Sequence, residues 1–315
     1  MIENVSNIGG PAPAHGPGRR PTTLIVGAGY IGSALADALR NDGRVVTLRR
    51  SPPAAPGTGL AVQADVSRPF DLPALPPLDA VVYLVGADAR TPQAYHDAYE
   101  AGPAQLLSAL ARAGQQPRRL IYASSISVHG QADGETLDES SPTEPRLFSG
   151  RAVLAGERLL AAGPWPVTRV RFAGIYGPLR DSFVRGVLAG TIGPTEANPY
   201  TNRIHRDDCV GVLRRLLEID APPPIVLASD PTPTRRNEVI RWLARRAGVE
   251  PASQGTHAAE RRSAGDRRCH PAWLLADGYR WRHRDFRSGY AELVDAARNR
   301  SRPIDAGPTH RSEGT

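Results

Sequence analysis

The chain has 315 residues, 40% hydrophobic and 23% charged, with a formal net charge of +7. That length buries a large core and supports one large domain or two smaller ones, and no run of about 18 apolar residues is present to span a membrane. All 39 basic residues counted as Lys or Arg are arginine, so no ammonium group is present on any side chain to form a Schiff base or to tune a neighbour by losing its proton. The arginines are scattered in pairs such as Arg118-Arg119, Arg214-Arg215 and Arg245-Arg246. This reads as solvated surface with some contacts to anionic ligands, and not as a nucleic-acid or membrane partner. Cys209 and Cys269 stand alone, which predicts neither a metal-ligand pair nor a disulfide.

Residues 1–20 are rich in Pro and Gly and read as a disordered leader. Arg19-Arg20 precedes an apolar stretch in the manner of an export signal. Glycines interrupt that stretch and a polar helix face follows, so the protein is expected to be cytoplasmic. The run Leu24-Ile25-Val26 predicts a buried strand, and Gly27, Gly29 and Gly32 form G-x-G-x-x-G ahead of an amphipathic helix that stops at Asn41-Asp42-Gly43. In such a motif the first glycine makes the turn, the second admits a pyrophosphate and the third lets helix and strand approach. Tyr30 and Ile31 then lie in the first helical turn, whose N–H groups face the phosphates.

Val45–Leu48 predicts a second strand, with Arg49, Arg50 and Ser51 at its carboxyl end. An acid at this position would favour NAD; guanidinium groups suit a 2′-phosphate, so NADP is favoured over NAD. A third strand, Leu60–Val66, ends in Asp65-Val66, where Asp65 is placed to meet the adenine amino group. A fourth, Ala80–Val85, ends at Gly86-Ala87. A helix from Tyr95 to Ala113, broken near Gly102-Pro103, leads to a fifth strand and the string Ser124-Ser125-Ile126-Ser127-Val128-His129-Gly130. An acidic loop, a helix over about 149–162 and a strand Val167–Phe172 follow, the strand leading into Ala173-Gly174-Ile175-Tyr176-Gly177-Pro178. Arg203-Ile204-His205-Arg206-Asp207-Asp208 opens a further helix through Leu217; Ile225–Asp230 is a strand, and Thr234 begins a helix through Arg246. Trp273, Tyr279, Trp281 and Tyr290 read as packing anchors, and the tail beyond about Arg298 as disordered. Strands alternating with helices argue for an α/β fold with a doubly wound parallel sheet, and ligands on such sheets bind at the carboxyl ends of the strands.

Taken in order, the glycine turn, Asp65-Val66, the Tyr122–Gly130 string, the Arg171–Pro178 string and Arg203–Asp208 resemble the extended short-chain dehydrogenases/reductases of the NAD-dependent epimerase/dehydratase superfamily. The resemblance implies a Rossmann domain over 21–177, with 203–230 returning to it, and a smaller discontinuous substrate domain from 178–202 and 231–298. Redox members of that family use a Ser, a Tyr as general acid/base and a Lys four residues later. Ser125 matches the serine. With Glu157 as the register marker, Ser149 stands where the tyrosine belongs and Val153 where the lysine belongs, and Tyr99 replaces an asparagine that often precedes the glycine here numbered 102. The chain therefore resembles the atypical members that keep the nucleotide fold and lack the Tyr-x-x-x-Lys pair.

Ser125, Ser149 and Tyr176 are the catalytic candidates, the serines as hydrogen-bond donors to a developing oxyanion and Tyr176 as an alternative acid. His129, His205 and Asp207-Asp208 read as structural, and no metal site is expected. Three functions stay open. The first, placed ahead, is an NADP-dependent oxidoreductase or epimerase-like enzyme on a small oxygenated metabolite. The second is a non-redox cyclase, isomerase or dehydratase, and the third a non-catalytic NADP-binding redox sensor. A monomer or homodimer is expected.

Overall fold

Strand residues point alternately to opposite faces, and the apolar runs of this chain are long enough to supply two cores from one sheet. Leu24, Val26, Val81, Tyr83, Leu120 and Tyr122 enter one core, whereas Ile25, Val82 and Ile121 from the same strands enter the other. A sheet buried on both faces is what a parallel sheet with helical crossovers requires.

The computed structural model describes residues 19–51, 60–252 and 265–300. The elements run β1 (Thr22–Val26), α1 (Tyr30–Leu39), β2 (Arg44–Arg49), β3 (Leu60–Gln63), β4 (Ala80–Tyr83), α2 (Pro92–His96), a π-helical turn (Asp97–Ala101) and α3 (Gly102–Arg112). Next come β5 (Arg119–Ser125), a 3-10 turn (Ile126–Val128), β6 (Asp133–Leu137), α4 (Phe148–Ala161), β7 (Val167–Phe172), β8 (Gly174–Tyr176), α5 (Ser182–Leu188) and β9 (Tyr200–Thr201). The chain continues through β10 (Arg203–His205), α6 (Arg206–Glu218), β11 (Ile225–Ala228), β12 (Thr234–Arg235), α7 (Arg236–Ala247), β13 (Asp266–Cys269), α8 (Ala272–Ala276) and α9 (Phe286–Arg300).

The main sheet has seven parallel strands in the order β3-β2-β1-β4-β5-β7-β11. This is the doubly wound α/β arrangement, and its order reverses between β1 and β4, the switch point at which such sheets bind ligands. Residues of α1, α6 and α8 cover one face, and α3 and α4 contribute to the core on the other. The buried Tyr83 and Tyr122 rings stack in that second core with centroids 5.7 Å apart. A third apolar cluster joins Val184 and Val187 of α5, Val239, Ile240 and Leu243 of α7, and Phe286, Tyr290 and Leu293 of α9.

Four sequence expectations are corrected. The helix expected to break near Gly102-Pro103 is continuous from Pro92 to Arg112, and a π-helical turn just before the proline absorbs it. The third strand stops at Gln63, because Asp65 turns the chain by accepting hydrogen bonds from the backbone N–H (3.1 Å) and hydroxyl (2.8 Å) of Ser67. Thr234 belongs to a two-residue antiparallel pairing with β9, and helix starts at Arg236. Last, β6 and β13 form a parallel pair that the sequence did not announce; β6 is largely exposed and has no apolar alternation. The expected leader (1–20) and tail (299–315) lie almost wholly outside the described residues.

Candidate functional site

The glycine turn closes the carboxyl end of β1. Gly27 has φ +95°, and a Cβ there would stand 2.8 Å from the backbone of Leu84 and Val85, so only glycine fits beside β4. A Cβ on Gly32 would lie 2.3 Å from the carbonyl oxygen of Gly27, which lets α1 start directly against the turn. Gly29 differs: a Cβ there meets nothing within 4 Å. Gly29 is the N-cap of α1, no side chain caps that end and no acid sits in the first turn. The first-turn N–H groups, those of Tyr30 and Ile31 among them, are thus left without a side-chain cap at a helix start that has open space beside Gly29, a donor set of the kind that suits an anion.

Around this turn lies a crevice of ≈ 250 Å³ bordered by Gly27, Gly29, Arg49, Arg50, Ser51, Asp65, Val66 and Gly86. Eight predicted nucleotide-site residues thus meet at one place, the carboxyl ends of β1, β2 and β4. Ala87 follows Gly86 and lies outside the crevice lining, and Tyr30 turns to the other side of the helix start. There its ring lies under two guanidinium groups, Arg180 at 4.7 Å and Arg206 at 5.5 Å. Arg50 reaches across to Asp88 at 3.0 Å in an exposed ion pair. The Arg49 guanidinium has no hydrogen-bond or ion-pair partner among the described residues, although its backbone carbonyl accepts from Ala64 N–H at 3.1 Å. The Ser67 hydrogen bonds hold the Asp65 carboxyl below its usual range, so it stays an acceptor.

On α4, Ser149, Val153 and Glu157 recur at intervals of four and share a buried face. Glu157 receives a bidentate pair from Arg171, Nε to Oε1 at 3.0 Å and Nη2 to Oε2 at 2.9 Å, and Ser124 Oγ donates to the same carboxylate. Both partners of the ion pair are almost fully buried, so this pair clamps α4 to β5 and β7. Val153 packs with Val128 and Leu154 where the resemblance implied a lysine. His129 is buried, donates from Nδ1 to Pro142 O at 3.1 Å, and has its pKa lowered to about 4, chiefly by burial and then by Arg171 and Arg267. These contacts match its structural reading.

A second cavity of ≈ 590 Å³ opens next to Ser125 and Ser127, between the carboxyl ends of β5 and β8 and the α5–α7–α9 cluster. Arg180, Arg203, Arg236 and Arg267 line it, and no Asp or Glu does among the described residues. Arg203 and Arg267 are buried; Arg203 Nη1 has no hydrogen-bond partner, and Arg267 Nη1 donates to His129 O at 2.9 Å. Ser125 Oγ accepts from Ser127 N at 3.1 Å, which leaves its own O–H free to donate. The Tyr176 ring borders this cavity, but its hydroxyl points at α9: a Cβ on Gly289 would lie 2.2 Å from it. Burial pushes that phenol far above its ordinary range.

Asp208 is buried and accepts from the backbone N–H groups of Arg282 (2.7 Å) and His283 (2.9 Å), tying α6 to the segment before α9. His205, Asp207 and His283 lie close enough to form a three-residue cluster, and Arg206 at 2.9 Å and Arg282 at 3.3 Å both pair with its only carboxylate. A cation entering there would meet two guanidinium groups. Arg236 and Arg267 lie in the segment after Arg235 that the sequence expects to shape the substrate pocket, whereas it places neither Arg180 nor Arg203 at a cavity. The available signal was their position: Arg180 follows the Tyr176–Pro178 turn, and Arg203 begins the His205–Asp208 string.

The family model for the NAD dependent epimerase/dehydratase family matches residues 23–201. Among solved structures, a Methylobacillus flagellatus protein assigned to the NAD-dependent epimerases/dehydratases is 32% identical, with a TM-score of 0.72 over 89% of this chain and 99% of its own. MoeE5, solved with UDP-glucuronic acid and NAD, is similar in fold at 24% identity and a TM-score of 0.72, covering 89% of this chain and 99% of MoeE5. The human epimerase family protein SDR39U1, solved with NADPH, is similar in fold at 20% identity and a TM-score of 0.73, covering 87% and 99%. No curated protein matches the chain.

Proposed function

The chain belongs to the NAD-dependent epimerase/dehydratase family, and from that premise we propose an NADP-dependent oxidoreductase or epimerase-like enzyme acting on a small oxygenated metabolite that carries an anionic group. The observation that carries the reading is the open space at Gly29, set against the uncapped start of α1 at the switch point of the sheet.

In this reading the first-turn N–H groups of α1 hold the pyrophosphate. Arg49 and Ser51, with Arg50 released from Asp88, hold the 2′-phosphate. Asp65 accepts from the adenine amino group. Bound there, the nicotinamide supplies or accepts hydride. Ser125 donates its free O–H to a substrate oxygen. The arginine-lined cavity beside it supports an anionic substrate, because four guanidinium groups face it with no carboxylate in its lining.

A second reading, a non-redox isomerase, cyclase or dehydratase, draws support from the buried Val153 and from the Tyr176 hydroxyl turned into the α9 contact. Titration with NADPH and with NADH, followed by nicotinamide fluorescence, tests the first reading. Binding of NADPH in preference to NADH is expected. Failure of both to bind up to millimolar concentration overturns the nucleotide site, and tighter binding of NADH overturns the role given to Arg49 and Arg50.

A further inference from the structure

The π-helical turn at Asp97–Ala101 has a specific local cause. In that turn Gly102 N–H bonds to Asp97 O, five residues back. The next donor in such a pattern would belong to Pro103, which has none. The carbonyl it leaves, Ala98 O, is taken by the Tyr83 hydroxyl at 2.6 Å. A Cβ on Gly102 would lie 2.2 Å from that same hydroxyl, so Gly102 lets β4 and the turn meet. The turn is thus pinned to the sheet by a buried bond. An added residue in a helical turn also re-aims the side chains it carries, and such turns recur at functional sites.

The side chain carried here is Tyr99. It packs against the cluster of Val128, Val153 and Leu154, the cluster that holds Val153 where the resemblance implied a lysine. Its hydroxyl lies at the crevice wall, 3.7 Å from where a Cβ on Gly86 would stand. Ala87 and the Arg180 guanidinium of the second cavity lie near enough to act electrostatically on this hydroxyl, both favouring its ionised form against burial. Behind it stand Tyr95, 5.5 Å away between ring centroids, and Phe148, 5.3 Å from Tyr95, which fix the ring plane.

We propose that the Tyr99 hydroxyl is the polar anchor for the nicotinamide-riboside half of the bound dinucleotide, taking the place left by Ser149 and Val153 on α4. The proposal rests on the nucleotide-binding reading above. The chemistry is that of a phenol beside Gly86 whose O–H can donate to an oxygen of the ligand and whose oxygen can also accept. Burial raises the phenol's pKa, so that the O–H is kept through the neutral range.

The test compares wild type with Tyr99→Phe, which keeps the ring and removes only the hydroxyl. Each is titrated with NADPH, with NADH, and with 2′,5′-ADP, which retains the adenosine half and lacks the nicotinamide riboside. Loss of one neutral hydrogen bond predicts about 3- to 10-fold weaker NADPH binding, with 2′,5′-ADP changed less than about twofold. Tyr99→Phe that binds NADPH as wild type does overturns the proposal while leaving the nucleotide site standing. Equal weakening of NADPH and 2′,5′-ADP also overturns it, since Tyr99 would then act on the crevice as a whole. Wild type that binds none of the three overturns the nucleotide site and this proposal with it.

Discussion

Two alanine substitutions in one glycine turn are expected to have opposite consequences. Ala is intrinsically about 1 kcal/mol better than Gly inside a helix, and on propensity alone Gly32→Ala would stabilise α1. The new Cβ, however, would stand 2.3 Å from Gly27 O, a backbone atom in a turn that is itself hemmed in by Leu84 and Val85. Relief requires moving the turn, and overpacking of that kind costs about 1–3 kcal/mol, which more than cancels the propensity gain. At Gly29 the new Cβ meets nothing within 4 Å, and the backbone sits at φ −94°. An N-cap Gly to Ala exchange costs about 1 kcal/mol or less. The methyl nevertheless fills the space beside the α1 N–H groups. Displacing a pyrophosphate by that much is expected to weaken NADPH binding by about 10- to 100-fold, equivalent to an overpacking penalty of similar size. Urea unfolding gives the stabilities and nicotinamide fluorescence the affinities. Gly29→Ala that folds normally and binds NADPH as wild type does would place the phosphates elsewhere. A Gly32→Ala protein more stable than wild type would refute the packing argument.

Glu157→Leu strands the buried Arg171 guanidinium and is expected to cost about 3–5 kcal/mol, whereas Glu157→Leu combined with Arg171→Leu should recover most of that loss; a double-mutant cycle in urea with no coupling would contradict the clamp. Arg49→Ala and Arg50→Ala should each weaken NADPH binding by about 5- to 50-fold, as expected for a lost charge-assisted bond, and leave NADH within about twofold; parallel losses for the two cofactors would count against a 2′-phosphate contact. Asp88→Asn, which frees Arg50 from its 3.0 Å partner, should tighten NADPH binding. Asp230 is buried and its carboxyl is pushed from 3.8 up to about 7 by burial, against the opposing pull of Arg203. The folded state therefore holds this proton where the unfolded chain has lost it, and stability from this group falls as pH rises from about 4 to 7. Asp230→Asn should be more stable than wild type by about 2–4 kcal/mol at pH 8 and nearly equal to it at pH 4; a difference independent of pH would remove Asp230 as the cause.

The parts of this molecule that are legible in its sequence are those fixed by local chemistry. The glycine turn, the β-branched runs of β1, β4 and β5, and the arginines ending β2 each carry their reason within a few residues. Eight of the residues so named border one opening. What escaped depends on contacts distant in sequence. Pro103 reads as a break because the donor that compensates for it, Tyr83, lies twenty residues earlier on a neighbouring strand. The β6–β13 pair joins residues more than a hundred apart, and its strands show no alternation of apolar and polar positions. The cationic cavity is built from Arg180, Arg203, Arg236 and Arg267, which lie in four separate segments of the chain and meet only in the fold.

The same distinction bears on the missing Tyr–Lys pair. A sequence reading can say which helix position lacks a lysine; it cannot say what fills the volume, because the replacement need not come from that helix. Here Val153 is buried and Tyr99 reaches it from the π-helical turn, bringing a hydroxyl to the wall at Gly86. The glycine turn keeps an uncapped helix start with open space beside Gly29. If Tyr99 takes the nicotinamide end as proposed, the polar group there comes from the preceding helix and not from α4, and the crevice offers a donor at each end. Electrostatically the two ends differ: the phosphate end relies on fixed backbone dipoles and arginines, which do not titrate in the neutral range, and the other on a phenol whose pKa burial has raised. Affinity for NADH, which lacks the 2′-phosphate, should therefore be flat from about pH 6 to pH 9 if these groups carry it, whereas NADPH affinity should fall as its 2′-phosphate gains a proton at about pH 6. A pH dependence of NADH affinity within that window would instead point to a titrating side chain in contact with the nucleotide, and would overturn this assignment of the polar groups.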